Sequence, residues 1–347
     1  MARSPLPLRP DLEQYQQQAK DLLRAATAGD ADGLARIKQR HARDGGPVLA
    51  DAQRAIAGEH GISSWERFLR VIDLLEPFRT ALYPGNANVI RALLDEAPEL
   101  AVSEPWPKAP GYKPIEGVAS GCVWHRPQQT RVAGMLIDAG ATCHITIAAR
   151  AGLLDCVRRM LDDDPSLINT TDKVGRTAMY RAGCVYGRFD EGEAIVDLLR
   201  DGGADVDFYV ACTFGWVSEV TAMLAADPSW ATRLDPDGMN CLHWVVRHRR
   251  SDGPAGPVAL LQLLLAAGAD VHARNPQEEQ MQPIHHCAEW AAYTEQVDLL
   301  LAHGADINSA AGNDWTPLDY AMDRGRKEMI GHLQAKGGRV SGKRDNA

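Results

Sequence analysis

The chain has 347 residues, 45% hydrophobic and 24% charged, a balance ordinary for a soluble folded protein. Its 46 Asp and Glu outnumber its 37 Lys and Arg, for a formal net charge of -9. That excess disfavours a general binder of nucleic acid or acidic membranes, because neutralising phosphates takes a surplus of Lys and Arg.

The elements are taken from the N-terminus. Met1 to Pro10 holds three prolines and no apolar run, so no secretory signal is expected. No later stretch approaches the roughly 18 uninterrupted apolar residues of a membrane span. Asp11 and Gln14 form a capping box before Leu12, Tyr15, Ala19, Leu22 and Leu23, which share one helical face. Gly29 should end that helix, and Asp30 should cap a second with Leu34 and Ile37 inward. A third helix is expected from Pro47 to His60. Ser63 with Glu66 then predicts a fourth, carrying Trp65, Phe68, Leu69, Ile72 and Leu75.

From about residue 80 the chain becomes self-similar. After Gly85, Gly152 and Gly215 the same offsets hold Ile90, Val157 and Val220, then Leu93-Leu94, Met160-Leu161 and Met223-Leu224, then Pro98, Pro165 and Pro228. A second set interleaves with this one. Gly140-Ala141, Gly203-Ala204, Gly268-Ala269 and Gly304-Ala305 each follow an apolar pair at a fixed distance. The anchors of the first set stand 63 to 67 residues apart, so each period holds two units of about half that length. Each unit reads as helix, turn, helix, loop, with a glycine C-cap after one helix and a proline stop after the other. The loop tips carry turn chemistry: Asp172-Lys173-Val174-Gly175, Asp235-Pro236-Asp237-Gly238 and Gly312-Asn313-Asp314.

Thr316-Pro317-Leu318, Leu242-His243 and Pro283-Ile284-His285, with Gly268-Ala269-Asp270-Val271 and Gly304-Ala305-Asp306-Ile307, closely resemble ankyrin repeats. The resemblance implies an all-α, ankyrin-type helix-turn-helix repeat solenoid. It is strongest from residue 238 and weaker before 144. The expected organisation is a helical N-terminal segment at 1–78, seven to eight repeat units at 79–340 and a frayed tail at 341–347. The segment at 1–78 is similar to the short helical leader that precedes such repeats in many bacterial proteins. Its expected role is to cap the first unit; the alternative is a docking or dimerising element.

The resemblance also makes His243 and His285 structural hydrogen-bonders that tie helix to finger loop. The next position is held by Arg181, Trp244, His286 and Tyr320, a slot that in the family usually faces the concave binding surface. With Trp106, set in the proline frame of a finger at Glu104 to Pro110, these residues form the expected partner-binding surface. The finger from Asn275 to Met281 is long and acidic.

Two near-copies, Gly121 to Arg126 and Gly183 to Arg188, precede lengthened inner loops, and Arg247 to Arg250 occupies the equivalent place in a third pair. If those loops cluster, His125, Arg126, Tyr186, Arg188, His248 and Arg249 would line a pocket for a small anionic ligand.

Other chemical signals are weak. Gly337 to Lys343 fits the spacing of a phosphate loop, but Arg344 stands where Ser or Thr is needed. His285-His286-Cys287 cannot converge on a metal, since adjacent helical side chains diverge by about 100°. Seven cysteines stand singly, with no C-x-x-C pair, which argues against a disulfide framework and for a reducing cytoplasm. The expectation is therefore a cytoplasmic protein that binds another protein, with neither cofactor nor metal. The alternative is an enzyme or small-molecule receptor built on the inner loops.

Overall fold

Helix starts are written in side chains that can accept from unpaired amides, and the computed structural model follows that code. It describes residues 11–39, 46–103, 113–119, 126–184, 190–247, 255–290 and 293–342; within these, the side chains of 126, 127, 190, 191 and 255 are also left aside. The expectations for residues 1–10 and 343–347 lie outside this range. The described residues form helices and turns, with two isolated β-bridges and no strand. The protein is all-α, and it divides into two compact units, residues 1–153 and 154–347.

In the first unit, Asp11 accepts from the amides of Glu13 and Gln14 at 2.9 and 3.1 Å, opening α1 (Leu12–Thr27). Asp30 opens α2 (Ala31–Lys38) in the same way. Next come α3 (Leu49–Glu59) and α4 (Trp65–Leu82), which runs through Pro77. Ser64, not Ser63, caps α4: its extended backbone aims the hydroxyl at the Arg67 amide, 3.1 Å away. The unit continues with α5 (Ala87–Glu96), the short α6 (Pro114–Gly117), α7 (Arg126–Asp138) and α8 (Ile145–Arg150). One apolar core runs through it from Tyr15 to Ala151. Its aromatic centre is Phe68, edge-on to Tyr15 with ring centroids 5.0 Å apart and stacked on Trp65 at 5.2 Å.

The second unit pairs shorter helices. First helices α10 (Ala178–Gly183), α12 (Phe208–Phe214), α14 (Cys241–Val245), α16 (Pro283–Trp290) and α18 (Pro317–Asp323) each contact the next in the row. Second helices are α9 (Leu154–Asp163), α11 (Asp190–Asp201), α13 (Val217–Ala226), α15 (Ala255–Ala266), α17 (Glu295–Ala302) and α19 (Lys327–Ala335). The glycines expected to end second helices do so in the left-handed region: Gly140 in the first unit, and Gly203, Gly268 and Gly304 here, at φ 84–96°. The alanine after each donates back across the turn, as in Ala204 to the Leu199 carbonyl at 2.9 Å and Ala269 to Leu264 at 3.0 Å. Short hairpin fingers precede α10, α14, α16 and α18. They close through Thr171 with Thr177, Asp235 with Met239, Asn275 with Met281, and Ala311 with Trp315.

Candidate functional site: the finger lattice

The fingers of the second unit are held by two successive positions of the first helices. Counting from the helix cap, the third residue is Tyr180, His243, His285 or Asp319, and the fourth is Arg181, Trp244, His286 or Tyr320. All lie within 154–347.

The third position reaches the following finger. His243 Nδ1 accepts from the Asn240 amide (3.2 Å), so Nε2 carries the proton and donates to the Met281 carbonyl (3.2 Å). His285 repeats the pattern, with the Gln282 amide at 3.1 Å and the Ser309 carbonyl at 2.9 Å. Burial, the largest cause, takes both imidazoles down to about 4, so they are neutral at physiological pH. Tyr180 does the same work with a hydroxyl, 2.9 Å from Asp235 Oδ2 and 2.8 Å from Asp237 Oδ2. At Asp319 the groups met are the Thr316 amide and the Ser341 amide, at 2.9 and 2.8 Å.

The fourth position anchors its own finger. Arg181 donates through Nε to Asp172 Oδ2 (2.8 Å) and closes the pair with Nη2. Burial pushes the Asp172 carboxyl up, but the Arg176 and Val174 amides and the Arg181 guanidinium together hold it below its ordinary value. Trp244 donates through Nε1 to Asp235 Oδ2 at 2.6 Å. Asp235 also takes the Asp237 and Met239 amides on Oδ1, at 2.8 and 2.9 Å. Even with these donors, burial raises its carboxyl above the usual range. His286 sits between Arg247, which donates to Nδ1 at 2.8 Å, and Asn275. Desolvation, then the Arg247 charge, holds its imidazole well below its ordinary value. The Tyr320 hydroxyl donates to Glu279 Oε2 at 2.9 Å.

These contacts revise the expected recognition stripe. Trp244 and His286 are 0% exposed and Tyr320 is 7% exposed, and each is bonded to its own or a neighbouring finger. Arg181 is largely covered and committed to Asp172. The slot does face the fingers, but the fingers fill it.

The long finger also turns inward, with Glu278 on Arg247 and Glu279 on Tyr320 and Asn313. The fifth expected contact residue, Trp106, lies outside the described residues. So do His125, Tyr186, Arg188, His248 and Arg249. Arg126 opens α7, with its side chain outside that description. The expected inner-loop pocket therefore has no described geometry.

Sequence reasoning missed the acceptors. Asp172 and Asp235 read as turn residues, yet each stands five residues before a helix cap and nine before its donor. That fixed spacing was the signal that could have found them. Among the described residues no group of His, Cys, Asp and Glu is arranged to hold a metal, and no helix is long and apolar enough to cross a membrane.

Paired short helices, glycine-terminated second helices and hairpin fingers bonded from one first helix to the next define a helical repeat protein with finger loops. Residues 254–343 match the family model for ankyrin repeats, in three copies. The chain is an ankyrin-repeat protein, and such repeats generally mediate protein–protein interaction. The finger geometry of the matched stretch recurs ahead of it, at 171–177 and 235–239. No curated protein matches the chain.

Proposed function

We propose that this chain binds another protein along the finger edge of its second unit. One observation carries the reading: fingers locked from behind leave apolar side chains in water at their tips and bases. Val174 is 57% exposed at the tip of the first finger, and Leu234 is 59% exposed beside the second. Behind them, Arg181 with Asp172 and Trp244 with Asp235 hold the backbone, so little ordering entropy is lost on docking. The net charge of -9 favours a protein partner over nucleic acid. The single thiols suit a reducing cytoplasm.

The test is proximity crosslinking in cells followed by mass spectrometry, with the wild type compared to a Val174→Asp/Leu234→Asp variant. Both side chains are exposed, so melting should be unchanged while one specific partner is lost. A partner set identical for the two proteins would reject the finger edge as the binding surface.

A further inference from the structure

The finger that closes through Asn275 and Met281 departs from its neighbours. Asn275 stands seven residues before its helix cap, Gln282, where Asp172 and Asp235 stand five before Thr177 and Asn240. Within the longer hairpin, Glu279 and Gln280 sit consecutively in the left-handed region at φ 44° and 55°. Side chains with a Cβ seldom take that backbone, and two in a row persist only where surrounding contacts over-determine them.

The contacts that do so are largely carboxylate contacts. Glu278 pairs with Arg247 and lies 3.4 Å from His286 Nδ1. Glu279 takes the Tyr320 hydroxyl at 2.9 Å and the Asn313 amide group. The Glu279 carbonyl accepts from the Gly312 amide, an approach that needs glycine, since a Cβ there would stand 2.8 Å from that oxygen. On its other side the finger rests on Gly238 through Pro276, and Gln277 donates to the Asp237 carbonyl. Burial drives the Glu278 carboxyl up despite Arg247, so its seat is a costly one for a charge. A strained segment thus places two adjacent carboxylates on a row of donors: Arg247, Tyr320 and Asn313.

We propose that this finger is a displaceable latch, and that Glu278 and Glu279 act as an internal stand-in for an acidic segment of a partner protein. With the finger lifted, the same donors take two neighbouring partner carboxylates, and Glu279 and Gln280 relax. The proposal rests on the protein-binding reading and assigns the chemistry of one partner segment. The chain's overall charge of -9 gives an acidic segment no long-range attraction, so recognition falls to these short-range donors.

The probe is fluorescein-labelled hexaglutamate, titrated into the full chain and read by fluorescence anisotropy. Glu278→Gln/Glu279→Gln removes the stand-in charges, and binding should tighten by roughly tenfold, since the closed finger no longer competes. Adding Arg247→Met should abolish that gain. Gln280→Gly relieves the left-handed backbone with the charges intact, so the Gly312 amide should exchange more slowly in the free protein. In the wild type, the peptide should speed amide exchange across 275–281.

Double-variant binding no tighter than wild type overturns the latch. So does an equal gain for an oligothymidylate of matched charge, which would mark a general anion surface. If the double variant fails to fold, Gln280→Gly decides alone, and unchanged Gly312 exchange overturns the proposal. Val174 and Leu234 lie at other fingers, so this failure leaves the finger-edge test standing and is distinguishable from its failure.

Discussion

The two units solve the same problem with different forces. In residues 11–153 the helices are joined by apolar packing around Phe68, Phe78, Ile56 and Leu82, and ion pairs such as Arg24 with Asp21 stay in water. In 154–342 the first helices are so short that their apolar faces are small. Asp235, Asn240, His243, Asn275, His285, His286 and Asp319 are all buried among them. Apolar packing tolerates approximate fit, whereas buried polar groups must be satisfied one by one. The first unit should therefore fail by losing volume, and the second by losing a single acceptor.

The largest effect expected is from Asp235→Ala. It strips acceptors from the Tyr180 hydroxyl, the Trp244 indole and two finger amides, at about 1–3 kcal/mol for each donor left unsatisfied. Allowing for relaxation, urea unfolding should show a loss of about 4 kcal/mol, and an effect below about 1 kcal/mol would break the comparison. In the first unit Phe68→Ala should cost about 3–4 kcal/mol through its cavity, read in the same way. Phe68→Leu should recover most of that, whereas no apolar residue should rescue position 235.

His285→Leu comes next. The Gln282 amide and Ser309 carbonyl lose their partner, for about 2 kcal/mol at pH 7.5. Its dependence on pH sharpens the point. The unfolded imidazole takes a proton near 6.5, while the folded one refuses it until about 4. Stability from the neutral ring is complete above about 6.5 and declines as pH falls towards 4, by at most about 1.4 kcal/mol per pH unit. The gap between wild type and His285→Leu should narrow over that window. A gap constant from pH 7 to 4.5 would show that the ring is not held neutral.

Asp207, which caps α12, has the opposite sign: burial raises its carboxyl to about 6. Its contribution favours the fold at low pH and is lost as pH rises through about 6. Asp207→Asn keeps an accepting cap and should gain about 1 kcal/mol at pH 8 and nothing at pH 4. The smallest effect expected is from Arg24→Ala, within about 0.5 kcal/mol, because both partners of that pair are exposed.

Much of this was readable from residues alone. Fixed offsets of glycine and apolar pairs gave the helix ends, since only a few residues can finish a helix in the left-handed region. The structural role of His243 and His285 followed from the resemblance. What was not readable was where the fourth-position side chains end up. Helical periodicity puts Trp244 and His286 on the finger side but does not say whether a finger covers them. Trp244 meets an acceptor nine residues back, and His286 one eleven residues back in a finger two residues longer. Such pairings depend on hairpin geometry, which short-range patterns do not encode.

The third-position bonds all point one way along the chain. Tyr180 waits for Asp235, His243 for Met281 and His285 for Ser309, each a partner 24 to 55 residues later. During synthesis, a first helix leaving the ribosome has half of its hydrogen bonding still untranslated. Each repeat of this unit is therefore finished by its successor, with Asp319 completed only when Ser341 has emerged. A ribosome paused between residues 285 and 309 would hold a nascent chain whose last histidine has no acceptor, a natural window for a chaperone to bind.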